Sequence, residues 1–424
     1  MSPPLPADRR TLTRERGTGH RGDRVACRIE GVEAKVRAVN EPVSQRPISI
    51  VSGDFVKTGG MDRANYALAD YLSRAGRPVE LVAHRVAAEL AERATVTFRA
   101  VPKPLGSYTL AEPLLDRSGR RAAARAAGRG GVAILNGGNC IAAGVNWVHY
   151  VHAAYRPDHP WTARGVQRRL VGRLAERREA LALRLATLVI ANSAATRRVL
   201  IERVGVRPER AFVVYYGMDA AQFALGSAEG ARQTRVELGF PDRPVVAFVG
   251  ALGDRRKGFD TLFQAWRELC RGSSWDVDLV AVGAGAELDA WRERAAQFGL
   301  GDRVRLLGFR KDVHRILAAS DALVAPTRYE AFGLGVAEAL ATGLPALVSA
   351  GAGVAELYPD ELGDLLLEEP ESSAELASKL RRWRAALPEA RSRMLGVSER
   401  VRGRSWDRMA ADIEALIGEH ALPR

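Results

Sequence analysis

Cysteine is scarce in this chain: Cys27, Cys140 and Cys270 lie far apart in 424 residues. Their spacing excludes a disulfide framework, and no CxxC or cysteine–histidine pairing marks a structural zinc. A reducing cytoplasm is the expected setting. Lysine is scarce too, with only Lys35, Lys57, Lys103, Lys257, Lys311 and Lys379 among 63 basic residues. Arginine therefore carries the net charge of +13, and much of that bias is compositional. No apolar run reaches bilayer length, and the arginine-rich amino terminus lacks the apolar centre of a secretory signal. The expectation is a protein neither exported nor spanning. No helix-turn-helix, zinc-finger or aromatic RNA-binding pattern accompanies the charge, so no nucleic acid is expected as partner.

What is present is a long chain, 47% hydrophobic and 27% charged, which favours two globular domains over one. Residues 1–46 mix Arg, Gly, Pro and Asp without periodicity and read as a disordered basic tail or a misassigned start. From "PISIV" at Pro47–Val51 the pattern is strand, glycine loop, helix, strand, and after Gly217 it restarts. The alternation predicts an α/β fold of two doubly wound, Rossmann-like domains. The expected boundaries are 47–216, a linker over 217–240, a second domain over 241–405, and a terminal helix over 406–424 with the option of packing back on the first domain.

In such sheets ligands bind beyond the carboxyl ends of the strands, where helix amino termini face a crevice. "RYEAFGLGVAEAL", Arg328–Leu340, fits that position, with Glu330 in the loop before a helix and Glu338 on its second turn. Backbone N–H groups around Phe332, Gly333 and Leu334 would open the helix and suit phosphate oxygens. The plainer alternatives are a helix cap for Glu330 and a solvated face for Glu338. "FVGALGDRRKGFDTL", Phe248–Leu262, sets Gly250, Arg256 and Lys257 after a strand, where cations suit a diphosphate and a solvated turn is the ordinary alternative. There is no GxxxxGK[ST], so it is not a P-loop. Gly59 and Gly60 mark another helix start. In "VNWVHYVHAAYRP" a strand over Val145–Val151 would put His149 inside the sheet and His152 at its ligand-binding end, so His152 is preferred. Asp276 and Asp278 fall at the wrong end of a strand, and no metal site is read. The arginine-rich helical stretch Arg164–Ala186, with Val166, Leu170, Leu174 and Leu181, would either rest on anionic lipid, bind a charged acceptor, or pack as an amphipathic surface helix.

Taken in order, "LVIANSAATRRVLIERVGVRPERAFVVYYGMD", "FVGALGDRRKGFDTL", "RVRLLGFRKDVHRIL" and "APTRYEAFGLGVAEALATGLPALVS" resemble the retaining glycosyltransferases of family 4. The resemblance implies the GT-B fold, two Rossmann-like domains facing across a cleft. It implies that Glu330 contacts donor-sugar hydroxyls, Glu338 holds ribose hydroxyls, Arg256 and Lys257 clamp the departing diphosphate, and main-chain groups near Phe309 and Arg310 meet the base. By the same resemblance His152 supports the reacting sugar and Gly59–Gly60 close over the phosphates or the acceptor from the opposing domain. It implies retention of configuration, no metal and no cofactor. The partners would be a nucleotide-sugar donor and a glycan, lipid-linked or small-molecule acceptor, with peripheral contact to an anionic membrane as an option. The chain departs from the family pattern at Tyr216-Gly217-Met218-Asp219, Gly250-Ala251-Leu252 and Ala153. The rival expectations are a silent sugar-nucleotide binder and an epimerase or phosphorylase on the same fold.

Overall fold

The computed structural model describes residues 46–157, 162–225, 227–272 and 274–421. The expected basic tail lies outside the described residues up to 45, and Arg46, its last residue, is buried.

The first domain is a seven-stranded sheet built from β1 (Ile48–Val51), β2 (Val79–Ala83), β3 (Val96–Ala100), β4 (Val132–Leu135), β5 (Gly144–Val148), β6 (Ala186–Ala191) and β7 (Ala211–Val213). The order is β3-β2-β1-β4-β5-β6-β7, all parallel, with Ile48 beside both Val79 and Val132. The second domain uses β8 (Val245–Val249), β9 (Asp278–Val282), β10 (Val304–Gly308), β11 (Ala322–Ala325), β12 (Ala346–Ser349) and β13 (Leu366–Leu367) in the order β10-β9-β8-β11-β12-β13. Central strands such as "ISIV" and "ALVA" are buried along their whole length because helices cover both faces. Each fully buried Ile or Leu contributes about 1.5–3 kcal/mol relative to exposure.

In both sheets the strand order reverses beside the first strand, so the crevices open at the carboxyl ends of β1 and β8. There the helices α1 (Gly60–Arg74), α2 (Tyr108–Gly128), α3 (Ala163–Leu185), α4 (Ala194–Val199), α5 (Phe259–Leu269) and α6 (Leu334–Ala341) place their amino termini or flanks. Helix α2 and strand β3, absent from the sequence reading, carry the alanine-rich and exposed patterns that periodicity discriminates worst.

The chain crosses between domains twice, side by side. Met218 N donates to Arg404 O at 2.8 Å, and the Arg404 guanidinium donates to Tyr215 O at 3.0 Å. A side chain on Gly217 would stand 2.4 Å from the Trp406 backbone, so only glycine lets the two strands pass. After α7 (Leu395–Arg402), the terminal helix α8 (Trp406–His420) leaves the second domain and lies on α1, tied by Arg74 to Asp407 at 2.5 Å and by Arg77 to Glu414 at 3.3 Å. Within the expected linker, Ala228–Glu237 is a helix held to the second domain by Arg235, whose guanidinium reaches Asp321 at 3.1 Å.

Candidate active site

A cavity of about 460 Å3 lies between the domains, at the carboxyl ends of both sheets. On the second-domain side it is made by the two strand-to-helix turns that follow β8 and β11. The first turn runs Arg255–Lys257 and ends on Gly258 at φ 70°, where a Cβ would sit 1.9 Å from Pro326 O. A glycine is compulsory there, and it aims Arg256 and Lys257 across the mouth of β11. In the second turn Gly333 opens α6 at φ 106°, leaving the first amides of the helix without intrahelical partners and facing the cavity.

These turns are joined by an ion pair, Lys257 Nζ donating to Glu330 Oε2 at 2.5 Å, and by Arg328, whose N–H donates to Arg256 O at 2.8 Å. Arg256 is held by Asp254, with its Nε at 3.1 Å from both carboxylate oxygens, and lies over the Tyr150 ring at 4.9 Å. Glu338 projects from α6 and is paired with Arg63 of α1, across the cleft. Burial pushes the Glu338 carboxyl up from its ordinary value, and Arg63 opposes that shift. Arg63 itself rests on the Trp406 ring at 5.4 Å.

The first-domain wall has a different construction. Strand β5 ends at Val148, three residues earlier than the sequence reading placed it. His149, not His152, is therefore the first residue beyond the sheet edge, and it lines the cavity with Gly60, Asn192 and Tyr216. Asn136 Nδ2 donates to His149 Nε2 at 2.9 Å, which assigns the ring proton to Nδ1, 2.5 Å from the Tyr216 hydroxyl. Burial pushes the imidazole down to about 3, so it works as a neutral group. His152 sits in the turn after the strand, where its Nδ1 lies 3.0 Å from the buried carboxylate of Glu179, and it lines a neighbouring pocket instead.

Other expected residues divide in the same way. Phe332, Gly333, Leu334 and Gly60 line the cleft, and a Cβ on Gly60 would stand 3.9 Å from Leu334 across it. Gly59 caps α1 one residue behind, and Gly250 packs under Lys257 rather than on the cavity surface. Phe309 is largely exposed, and Arg310 is bound to Asp312 at 2.8 Å, neither of them on the cavity wall. Among the described residues no group of three or more His, Cys, Asp or Glu is arranged to hold a metal ion, and no helix is long and apolar enough to cross a membrane.

Several residues that close the site were not singled out in the sequence. Ser193 Oγ and Thr196 Oγ1 donate to Ala331 O at 2.7 and 3.0 Å. The N–H groups of Ala194 and Ala195 donate to the Glu356 carboxylate at 2.9 and 2.6 Å. Val151 N donates to the Tyr329 hydroxyl at 3.0 Å. The available signal was "NSAAT", a strand end running into a serine-capped helix, which carries free amides wherever it occurs.

Comparison with known proteins adds to this geometry. The family model "Glycosyl transferases group 1" matches residues 243–385, and the model "Glycosyltransferase Family 4" matches residues 58–222. A D-inositol 3-phosphate glycosyltransferase of Salinispora tropica is 30% identical over 295 residues, covering 65% of this chain and 59% of the relative. A protein of the same name from Frankia alni is 30% identical over 284 residues, covering 64% of this chain and 67% of the relative. The chain thus spans only 59% of the length of the Salinispora relative. Among solved structures, Anabaena Alr3699/HepE in complex with UDP and glucose superposes with a TM-score of 0.65 at 23% identity, covering 88% of this chain and 99% of that one. At that identity the likeness carries the fold, which is the GT-B arrangement of two facing Rossmann-like domains.

Proposed function

The chain belongs to glycosyltransferase family 4, and on that premise we propose that it moves a hexose from a nucleoside-diphosphate sugar to an acceptor hydroxyl, with retention and without a metal. The carrying observation is the meeting of Lys257 and Glu330 in front of the α6 amino terminus. When the anomeric carbon–oxygen bond breaks, negative charge grows on the diphosphate. Lys257, Arg256 and the free amides of α6 stand where that charge would develop, already oriented. The entering diphosphate takes Lys257 from Glu330 and frees its carboxylate for the sugar hydroxyls. Glu338, one helical turn further, takes the ribose in place of Arg63. A neutral His149 on the opposite wall adds no positive charge that would repel an oxocarbenium-like sugar.

The Anabaena neighbour holds UDP and glucose, which supports a uridine donor and a hexose. The relatives are named for D-inositol 3-phosphate, which supports glycosylation of a small metabolite over polysaccharide assembly. The test is a thermal-shift screen against UDP, GDP, ADP, TDP and their sugar conjugates, with and without EDTA, followed by an assay of transfer or donor hydrolysis. A selective shift that EDTA leaves intact, with turnover, is the expected result. Binding without turnover would make the protein a silent sugar-nucleotide binder, and an EDTA-sensitive shift would refute the metal-free clamp.

A further inference from the structure

A separate cavity, of about 340 Å3, lies where the chain crosses between the domains. None of Arg256, Lys257, Glu330 or Glu338 lines it. We propose that it is a hinge site for a small aromatic carboxylate, whose binding changes the affinity of the donor cavity for nucleotide. The coupling, not the site, rests on the transfer reading above.

Shape and polarity set the ligand class. The walls are mostly rings and aliphatic chains, among them Tyr215, Tyr216, Phe332, Tyr358, Pro359 and Val401. A mainly apolar cavity favours a flat apolar body over ordered water. Its volume is at the low end of the roughly 300–1,000 Å3 that small-molecule pockets span, which suits one or two rings better than a nucleotide.

Most polar groups on the wall already have partners. The Glu356 carboxylate accepts from the Tyr215 hydroxyl at 2.8 Å and from the amides of Ala194 and Ala195. The Tyr358 hydroxyl donates to Ala346 O at 2.8 Å, and Arg404 is held by Tyr215 O and by Asp412. Arg400, on α7, is the exception. It forms no ion pair among the described residues, and its hydrogen bond to Leu357 O is long at 3.4 Å. An exposed guanidinium on the wall of an apolar cavity suits a carboxylate, which it can meet through paired N–H donors.

Position sets the effect. Tyr215, Tyr216 and Met218 belong to the first crossing and Arg404 to the second, so a ligand here touches both. Tyr216 and Phe332 line this cavity and the donor cavity alike, with ring centroids 5.0 Å apart. A body packed against one side of those rings restricts them on the other. Rotation of either domain would reshape the cavity, so the ligand favours the domain arrangement in which the cavity exists. A ligand that binds one arrangement better shifts the population toward it, and nucleotide affinity changes with that shift.

Calorimetric titrations of the full chain with phenylacetate, neutral phenylacetamide and octanoate test the site. Each is repeated on Arg400→Gln and on Leu357→Trp, whose larger side chain would fill the cavity. Phenylacetate should bind about fivefold more tightly than either comparison compound. Arg400→Gln should erase the preference over the amide, and Leu357→Trp should abolish binding. If Leu357→Trp fails to fold, Arg400→Gln decides alone. No binding of phenylacetate, or equal binding of the amide or of octanoate, would overturn the ligand class, and an unaltered preference in Arg400→Gln would overturn the site. Titrations with UDP, GDP, ADP and TDP are then run with and without saturating phenylacetate, and the affinity of the nucleotide that binds should change at least about fivefold. Unchanged nucleotide affinity would overturn the coupling. No nucleotide binding at all would overturn the transfer reading and the coupling together, while the hinge site stands or falls on the phenylacetate titration.

Discussion

In the second domain the groups that face the cleft come in two short runs, Arg256–Gly258 and Glu330–Glu338, each on one strand-to-helix turn. In the first domain they come from separate segments: Gly60 and Arg63 on α1, His149 and Tyr150 after β5, Asn192 after β6, and Tyr216 at the crossing. The strand orders run in parallel, so the difference lies in how polar groups are distributed and not in topology. One side concentrates charge where a leaving group would be stabilised. The other is a buried hydrogen-bonded chain in which Asn136, His149, Tyr216 and Asn192 hold one another.

The largest effect that would sharpen this contrast belongs to Lys257→Ala. It should lower turnover by about 10²–10³-fold, equivalent to about 2.7–4 kcal/mol of transition-state stabilisation, while nucleotide affinity falls much less. Glu338→Ala should show the opposite split, costing nucleotide affinity about 1.5–3 kcal/mol with a smaller change in turnover. Turnover and nucleotide affinity measured on both variants decide between them, and the reverse pattern would exchange the two roles.

On the first-domain side the expected effect is on folding. His149→Ala removes a partner from Asn136 and from the Tyr216 hydroxyl, and leaving such buried groups unpaired costs about 1–3 kcal/mol in urea unfolding. His152→Ala withdraws Nδ1 from the buried Glu179 carboxylate, which keeps the His152 backbone N–H at 2.9 Å, so the loss should lie toward the lower end of that range, about 1–1.5 kcal/mol. Equal stability losses in the two variants would break the distinction between a histidine locked into the buried chain and one in the turn beyond it.

The same contrast explains what the sequence made legible. Alternating strands and glycine turns predicted the doubly wound fold, because parallel strands buried on both faces read as apolar runs. The second-domain site was legible because its charges lie close in sequence, Arg256 beside Lys257 and Glu330 in the loop just before the helix that carries Glu338. Arg63 was invisible because its partner Glu338 is 275 residues away, a distance no local pattern spans. His149 was misplaced by a boundary, since a strand read three residues too long exchanged it with His152. The apolar stripe of α3 was also ambiguous: Leu170, Leu174 and Leu181 face outward, and the helix buries Glu179, Ala182 and Leu183 instead. Periodicity reports that a helix is two-sided, and cannot tell which side the sheet covers.

The smallest expected effect tests whether the first-domain glycine loop is electrostatically quiet. Asp62 lies in the first turn of α1, close behind Gly59, and burial first, then the nearby Asp54, pushes its carboxyl up to about 6. The folded value is above the unfolded one, so the contribution to stability is complete in acid and is lost as pH rises through about 6. At pH 8 the ionised carboxylate is a cost, which Asp62→Asn removes. After allowance for partial exposure, the variant should gain about 1 kcal/mol at pH 8 and nothing near pH 3. Stability curves at the two pH values check this, and a gain of equal size at both would mean that packing or helix propensity, not ionisation, sets the effect. Nucleotide affinity at pH 8 should stay the same in the variant, because the proposed donor clamp, Lys257 and Arg256, sits on the opposite wall. A change there would show that the glycine loop shares the electrostatic work now assigned to Lys257 and Arg256.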